Sequence, residues 1–238
     1  MKPQNKLLLS DQHLKVEEGA HIIYLYEDET ELLDIFSRFY TQGLINNDLC
    51  ITIDSDDGFS KRLIEDIEAK SGMDMNQLKS KIMHISHKDF YFNNGAFNAN
   101  RVFGVVDDLI SKNVLTIRCA GTSGWIDKTF FNEFCEYETA FTKRYHNNNV
   151  LVLCAYSLKQ LDVAQIIKLI QSHTLILFKE GHSWKISETV ERKIYNQQIE
   201  DLENFTKFAV DRELKMIDLK KRITQLEKEA DDYKKSAE

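Results

Sequence analysis

The sequence predicts an α/β protein: a three-layer domain with a mostly parallel sheet, followed by a long C-terminal coiled-coil helix. Three observations predict it. Strand-like runs that are apolar almost throughout, such as Ile22 to Tyr26 and Leu49 to Ile53, are the pattern of strands buried on both faces. Helical stretches separate them, as in right-handed βαβ crossovers. After Trp184 the strand-like runs vanish, and Glu188 to Glu238 contains neither Gly nor Pro.

In chain order, strands are expected over 21–26, 49–54, 81–86, 114–119, 149–155 and 174–178, with a short one at 183–186. Helices are expected over 29–43, 58–71, 98–112, 128–145 and 160–172, with Gly43 as the stop of the first. Pro3 is the single proline, so no expected helix contains a breaker. In the tail, Leu202, Phe205, Ala209, Arg212, Met216, Leu219, Ile223, Leu226, Ala230 and Tyr233 alternate at spacings of three and four. A strict 3.5-residue repeat keeps one seam facing a partner and specifies a left-handed coiled coil. The expected organisation is therefore an α/β domain over 1–187, a helix over 188–238, and a homodimer through that helix. An amphipathic helix folded back on the domain is the alternative.

Composition narrows the function classes. A net charge of −7, with basic residues scattered among acids, argues against direct nucleic-acid binding. No apolar run approaches the ~20 residues of a membrane span, and Leu7-Leu8-Leu9 is too brief for a signal-peptide core, so a cytoplasmic protein is expected. Cys50, Cys119, Cys135 and Cys154 form no Cys-x-x-Cys pair, and three of them sit in apolar strand-like runs, the setting of reduced, buried thiols.

The first strand runs into Glu27-Asp28-Glu29, where a phosphate-binding loop would carry glycines and end in Gly-Lys-Ser/Thr. Three carboxylates there would repel a polyphosphate. Gly121 to Thr129 ends in Lys128-Thr129 but has Asp127 at the position of the required glycine and the bulky Trp125 within the loop. Ligands of open parallel sheets bind beyond the strand carboxyl ends. That rim is rich in aromatics, among them Tyr26, Tyr91, Phe92, Trp125 and Tyr156, with His87, Asp89 and Arg118 as polar groups. It reads equally well as a small-molecule pocket or as the closed top of the core. His84 and His87 could be taken for a metal pair, but i and i+3 side chains at a strand end point to opposite faces. Adding His21, His173 or His182 would need a convergence in space, so no metal site is expected. No nucleophile signature of the Gly-x-Ser-x-Gly type occurs, and no catalytic residue or cofactor is expected.

Several short segments, in order, resemble one known family. They are Gly19-Ala-His21-Ile-Ile-Tyr-Leu-Tyr-Glu27; Gly43-Leu44 with its Asn-Asn-Asp turn; Ile117-Arg118-Cys-Ala-Gly121 before Trp125; Glu136-Tyr137-Glu138; and Leu153-Cys154-Ala-Tyr156 leading to His173. Over about residues 10–185 the chain resembles the MEDS domain, the methanogen/methylotroph sensory domain related to the regulator DcmR. The resemblance implies a degenerate RecA/KaiC-like fold without catalysis, sensing of small hydrocarbon-type molecules, and output through histidine kinases or transcription regulators. It also implies His21, Tyr26, Glu27, Arg118, Trp125, Glu138 and Tyr156 as ligand-binding or signal-transmitting residues. Where the family tends to have His-Pro, this chain has His173-Thr174. A cytoplasmic, non-enzymatic sensor relaying a small ligand through its coiled coil to a partner is thus the leading expectation. A ligand-free docking scaffold and a cryptic nucleotide hydrolase are the alternatives.

Overall fold

The computed structural model describes residues 6–8, 13–54, 57–112, 115–181 and 183–236. It divides into two units, Met1–Arg192 and Lys193–Glu238. The first opens with an antiparallel ribbon, β1 (Lys6–Leu8) against β2 (His13–Lys15). Then come β3 (His21–Tyr26), α1 (Glu29–Asn46), β4 (Leu49–Asp54), α2 (Asp57–Ser71), α3 (Met75–Lys81), β5 (Ile82–Ser86) and α4 (His87–Tyr91). A two-residue hairpin, β6 (Phe92–Asn93) with β7 (Ala96–Phe97), leads to α5 (Ala99–Lys112) and β8 (Ile117–Thr122). The unit continues through α6 (Phe131–Tyr145), β9 (Val150–Ser157), α7 (Val163–Ser172), β10 (Leu175–Glu180) and β11 (Ser183–Glu188). The last helix, α8 (Val190–Ser236), begins in this unit and makes up the second.

Seven strands form the central sheet in the order β11-β10-β3-β9-β8-β4-β5, all parallel except the β10–β11 edge pair. Alternate residues serve opposite faces, as strand geometry requires. On β3, Ile22 and Tyr24 join the core under α1, α2 and α3, while Ile23 joins the core under α4 to α7. On β9, Leu151, Leu153 and Ala155 face the first core, and Val150, Val152 and Tyr156 the second. The three layers and mostly parallel sheet agree with the expected fold class.

Boundaries differ where a local polar group decides them. Helix α1 does not stop at Gly43 but runs to Asn46, and Asn47 closes it in the left-handed region at φ 61°. Gly43 is inside the helix because a Cβ there would lie 2.6 Å from Arg118 Cδ and 2.8 Å from Cys50 Sγ. The glycine marks a close approach, not a terminus. The acidic turn also has a local cause: Asp28 is the N-cap of α1, its carboxylate accepting from Thr30 N at 2.7 Å. Helix α6 starts at Phe131 rather than 128, after Asp127 accepts from Thr129 N (2.8 Å), and α7 starts at Val163 behind the Asp162/Gln165 capping box. Helices α3 and α4 and the β6–β7 hairpin, absent from the sequence expectation, are too short to show a period; Asp74 and Ser86 cap the two helices.

Helix α8 is one 47-residue element. Its expected seam residues Leu202, Phe205, Met216, Leu219, Ile223 and Leu226 are all exposed. So are Phe208, Val210, Leu214 and Ile217, which lie off that seam. The side chains of Ala230 and Tyr233 fall outside the described residues, as does His182.

Candidate functional site

The carboxyl-end rim is closed by packed aromatics. The Trp125 ring lies 4.5 Å from Tyr91, 5.3 Å from His87, 5.5 Å from Phe134 and 5.6 Å from Phe92, and its Nε1 donates to Thr122 O (2.9 Å). The β6–β7 hairpin supplies Phe92 and Phe97 to this lid. On the same sheet face is a cavity of about 30 Å³. Its wall is mainly apolar, including Ile51, Ile53, Val106, Phe141 and Val152, with His21, Glu138, Cys119, Cys154 and the two tyrosines Tyr91 and Tyr137 also lining it.

Of these, His21, Glu138 and Cys154 belong to a buried cluster with His173. His21 opens β3, Glu138 stands on α6, Cys154 on β9, and His173 caps the end of α7. Parallel pairing sets Ile23 opposite Cys154, so the thiol is reached from His21 two residues earlier on the same face. His21 Nε2 lies 3.0 Å from Glu138 Oε2 and 3.3 Å from Cys154 Sγ. Tyr156 OH donates to Glu138 Oε1 (3.1 Å), and the two imidazole centroids are 4.0 Å apart. Burial dominates the electrostatics, disfavouring every charged form. It lowers His21 to about 3 and raises Glu138 to about 7. His173 also falls to about 3, through burial and then His21 beside it, and Cys154 is pushed well above the usual thiol range.

The backbone ties this cluster to the start of α8. Thr174 N and Thr174 Oγ1 both donate to His21 O (2.9 Å each), and Thr174 Oγ1 accepts from His21 N (3.0 Å). A proline at 174 could make none of these bonds, so the threonine there gives a hydrogen-bonded seam between β3 and the end of α7. Thr189 Oγ1 donates to His173 O (2.8 Å) and accepts from Arg192 N (3.3 Å), in the manner of an N-cap for α8. Thr189 itself is buried.

Of the seven residues singled out from sequence, the structure brings three together: His21, Glu138 and Tyr156. Trp125 is on the same sheet face but in the aromatic lid. Tyr26 packs against the opposite core, and Glu27 is exposed. Arg118 is fully buried on that opposite face, with Nε donating to Asp48 Oδ2 (2.8 Å) and the guanidinium 4.8 Å from the Phe39 ring centroid. Of the two readings of the carboxyl-end rim, the packed aromatics correspond to a closed top of the core, and His21 is at the amino end of its strand. His84 sits beside Ser60 Oγ (2.7 Å), and His87 stacks on Trp125. The four cysteines are free, as expected. Sequence reading noted Cys154 and His173 without joining them, because each sits in a segment whose local pattern is purely structural.

Fold and site define an α/β domain whose polar centre is enclosed beneath one sheet face. The chain belongs to the MEDS family, the MEthanogen/methylotroph, DcmR Sensory domain, whose model matches residues 20–174. The matched segment begins one residue before His21 and ends one after His173. No curated protein matches the chain. MEDS is a sensory domain family, and among the described residues no helix is long and apolar enough to cross a membrane.

Proposed function

We propose that this domain senses a small, mainly apolar molecule held in the cavity beside His21, Glu138 and Cys154. The observation that carries this reading is the cavity's composition: apolar walls with a few polar groups among them, the usual build of a small-molecule site. About 10–15 Å³ of such space holds one water, so this volume suits a ligand of only a few heavy atoms without rearrangement. Occupancy would bear on His21 and His173 and, through the His173 O to Thr189 hydrogen bond, on the first turn of α8. The helix would pass the change on through a homodimeric coiled coil, whose packed seam has discrete alternatives, to a histidine kinase or transcription regulator. The exposed heptad positions of α8 support that part of the reading.

The sheet order, with β3 inside between β9 and β10, supports a RecA/KaiC-like ancestry. Asp28 at the N-terminus of α1 occupies the place where such a fold would bind phosphate, which favours detection over hydrolysis. We therefore read the domain as non-catalytic and cytoplasmic.

The test is a calorimetric and thermal-shift screen of one- to three-carbon alcohols, haloalkanes and amines against the whole chain and against Val106→Phe, which fills the cavity. Binding to the wild type that disappears in the filled variant is expected. No binding by any of them, or binding that survives Val106→Phe in a folded protein, overturns the cavity assignment. Thr189→Val should leave binding intact while uncoupling it from the oligomeric state of α8, measured by analytical ultracentrifugation.

A further inference from the structure

His21, Glu138, Cys154 and His173 each offer one ligand atom, and the four atoms lie within 4.8 Å of one another. We propose that these side chains bind a single divalent transition-metal ion of the zinc class.

The hydrogen atoms on the two imidazoles can be assigned from their partners. Thr142 Oγ1 donates its proton to Ser172 O (2.7 Å), so at His21 Nδ1, 2.7 Å away, it can only accept. His21 Nδ1 therefore carries the ring proton, and Nε2 turns a lone pair toward Glu138 and Cys154. At His173, Nδ1 lies 2.6 Å from Leu169 O, a carbonyl that can only accept, so that nitrogen is also the protonated one. Its Nε2 lone pair points into the cluster. No hydrogen-bond partner reaches it among the described residues, and Glu138 Oε2 is 3.8 Å away. His173 is 1% exposed. Two imine lone pairs thus face a carboxyl group and a thiol in a water-poor interior, and the one on His173 has no donor among the described residues.

The surrounding shell has the form that metal sites use. Ligating histidines donate the other ring N–H to an oxygen, and ligating carboxylates are themselves hydrogen-bonded. Here Thr142 and Leu169 O hold the two rings, and Tyr156 holds Glu138. Metal–ligand bonds of about 2.0–2.3 Å in a tetrahedron give ligand–ligand edges of roughly 3.3–3.8 Å. The 3.0, 3.3 and 3.8 Å separations lie in or just outside that range. Two imidazoles, a carboxylate and a thiolate suit zinc, cobalt or ferrous iron and not magnesium or calcium, which take oxygen ligands. A dication with one carboxylate and one thiolate makes a neutral centre, the condition under which charge is tolerated in a core. The inference rests on the cluster alone and does not require an organic ligand in the neighbouring cavity.

The whole chain, unfolded with chelator and refolded with Zn²⁺ or Co²⁺, provides the test. One equivalent of metal per chain is expected after gel filtration. The Co²⁺ protein should show intense visible bands of a tetrahedral ion and a near-ultraviolet thiolate-to-cobalt band. Cys154→Ser should remove the near-ultraviolet band. His173→Gln should weaken Zn²⁺ binding at least about 100-fold, and Thr142→Val about 10–100-fold, as loss of an outer-shell partner does. Far-ultraviolet circular dichroism checks folding, and near-isosteric Cys154→Ser decides the matter should His173→Gln fail to fold. Substoichiometric metal in the folded wild type overturns the proposal, as does a thiolate band or a Zn²⁺ affinity that Cys154→Ser leaves unchanged. Because no organic compound is present, failure here leaves the cavity reading standing, and failure of the small-molecule screen leaves this one standing.

Discussion

Arg118 on one face of the sheet and Glu138 on the other are both buried, 0% and 2% exposed, but they are accommodated differently. The guanidinium has a carboxylate at 2.8 Å and an aromatic ring against it. The carboxylate has a tyrosine hydroxyl, a thiol and two imidazoles whose burial holds them neutral. Near Arg118 the chain has spent a glycine, Gly43, to make room for a charge it balances locally. Near Glu138 it has gathered two imidazoles, a carboxyl and a thiol from four separate elements, with no lysine or arginine among them. A balanced buried pair contributes to holding a fold together. An unbalanced one shifts its pKa toward the neutral form unless a cation joins it.

Substitutions that empty each centre should separate these cases. Arg118→Met leaves Asp48 without its partner in a site where burial already lifts that carboxyl above its usual range; a loss of about 3–5 kcal/mol is expected by urea unfolding. Gly43→Ala drives a methyl group against the Arg118 side chain and Cys50, and should cost about 1–3 kcal/mol. Combined with Arg118→Met it should cost less than the sum, since removing the guanidinium makes room for the methyl. Glu138→Gln keeps a partner for Tyr156 and adds a donor for the imidazoles, so metal-free protein should stay within about 1 kcal/mol of wild type or gain stability. If Glu138→Gln proves as damaging as Arg118→Met, the contrast between the two faces fails.

The smallest effect concerns acidity at the aromatic lid. Burial, more than any neighbour, lowers the pKa of His87. The folded protein therefore binds that proton less readily than the unfolded chain. The associated stability is fully present above about pH 6.5 and declines as pH falls through the folded value. Comparing unfolding midpoints at pH 7.5 and 5.5 for wild type and His87→Gln isolates this contribution from the cluster histidines, which both proteins share. Equal acid sensitivity in the two proteins would remove His87 from the account.

The main strands and long helices were legible because each is set by a run of apolar residues or a period that a single segment displays. The short α3 and α4 were not, since a cap and one turn leave no period to read. Gly43 was misread because a stop signal and a packing contact look alike until Arg118, far along the chain, is placed beside it. The site was half legible. His21, Glu138 and Tyr156 were picked out through resemblance, yet so were Tyr26, in the same motif as His21, and Arg118, both of which point to the other face. Strand alternation could have separated these: Ile22, Tyr24 and Tyr26 differ in parity from His21. Joining Cys154 and His173 to the cluster needed the sheet order, which no local pattern encodes.

Thr174 and His21 are 153 positions apart and share three hydrogen bonds. Synthesis proceeds from the amino end, so β3 leaves the ribosome while both strands that will flank it, β9 and β10, are still untranslated. Until they emerge, the backbone N–H and C=O groups along its edges have no permanent partner. The polar centre is therefore among the last parts of the domain to be completed.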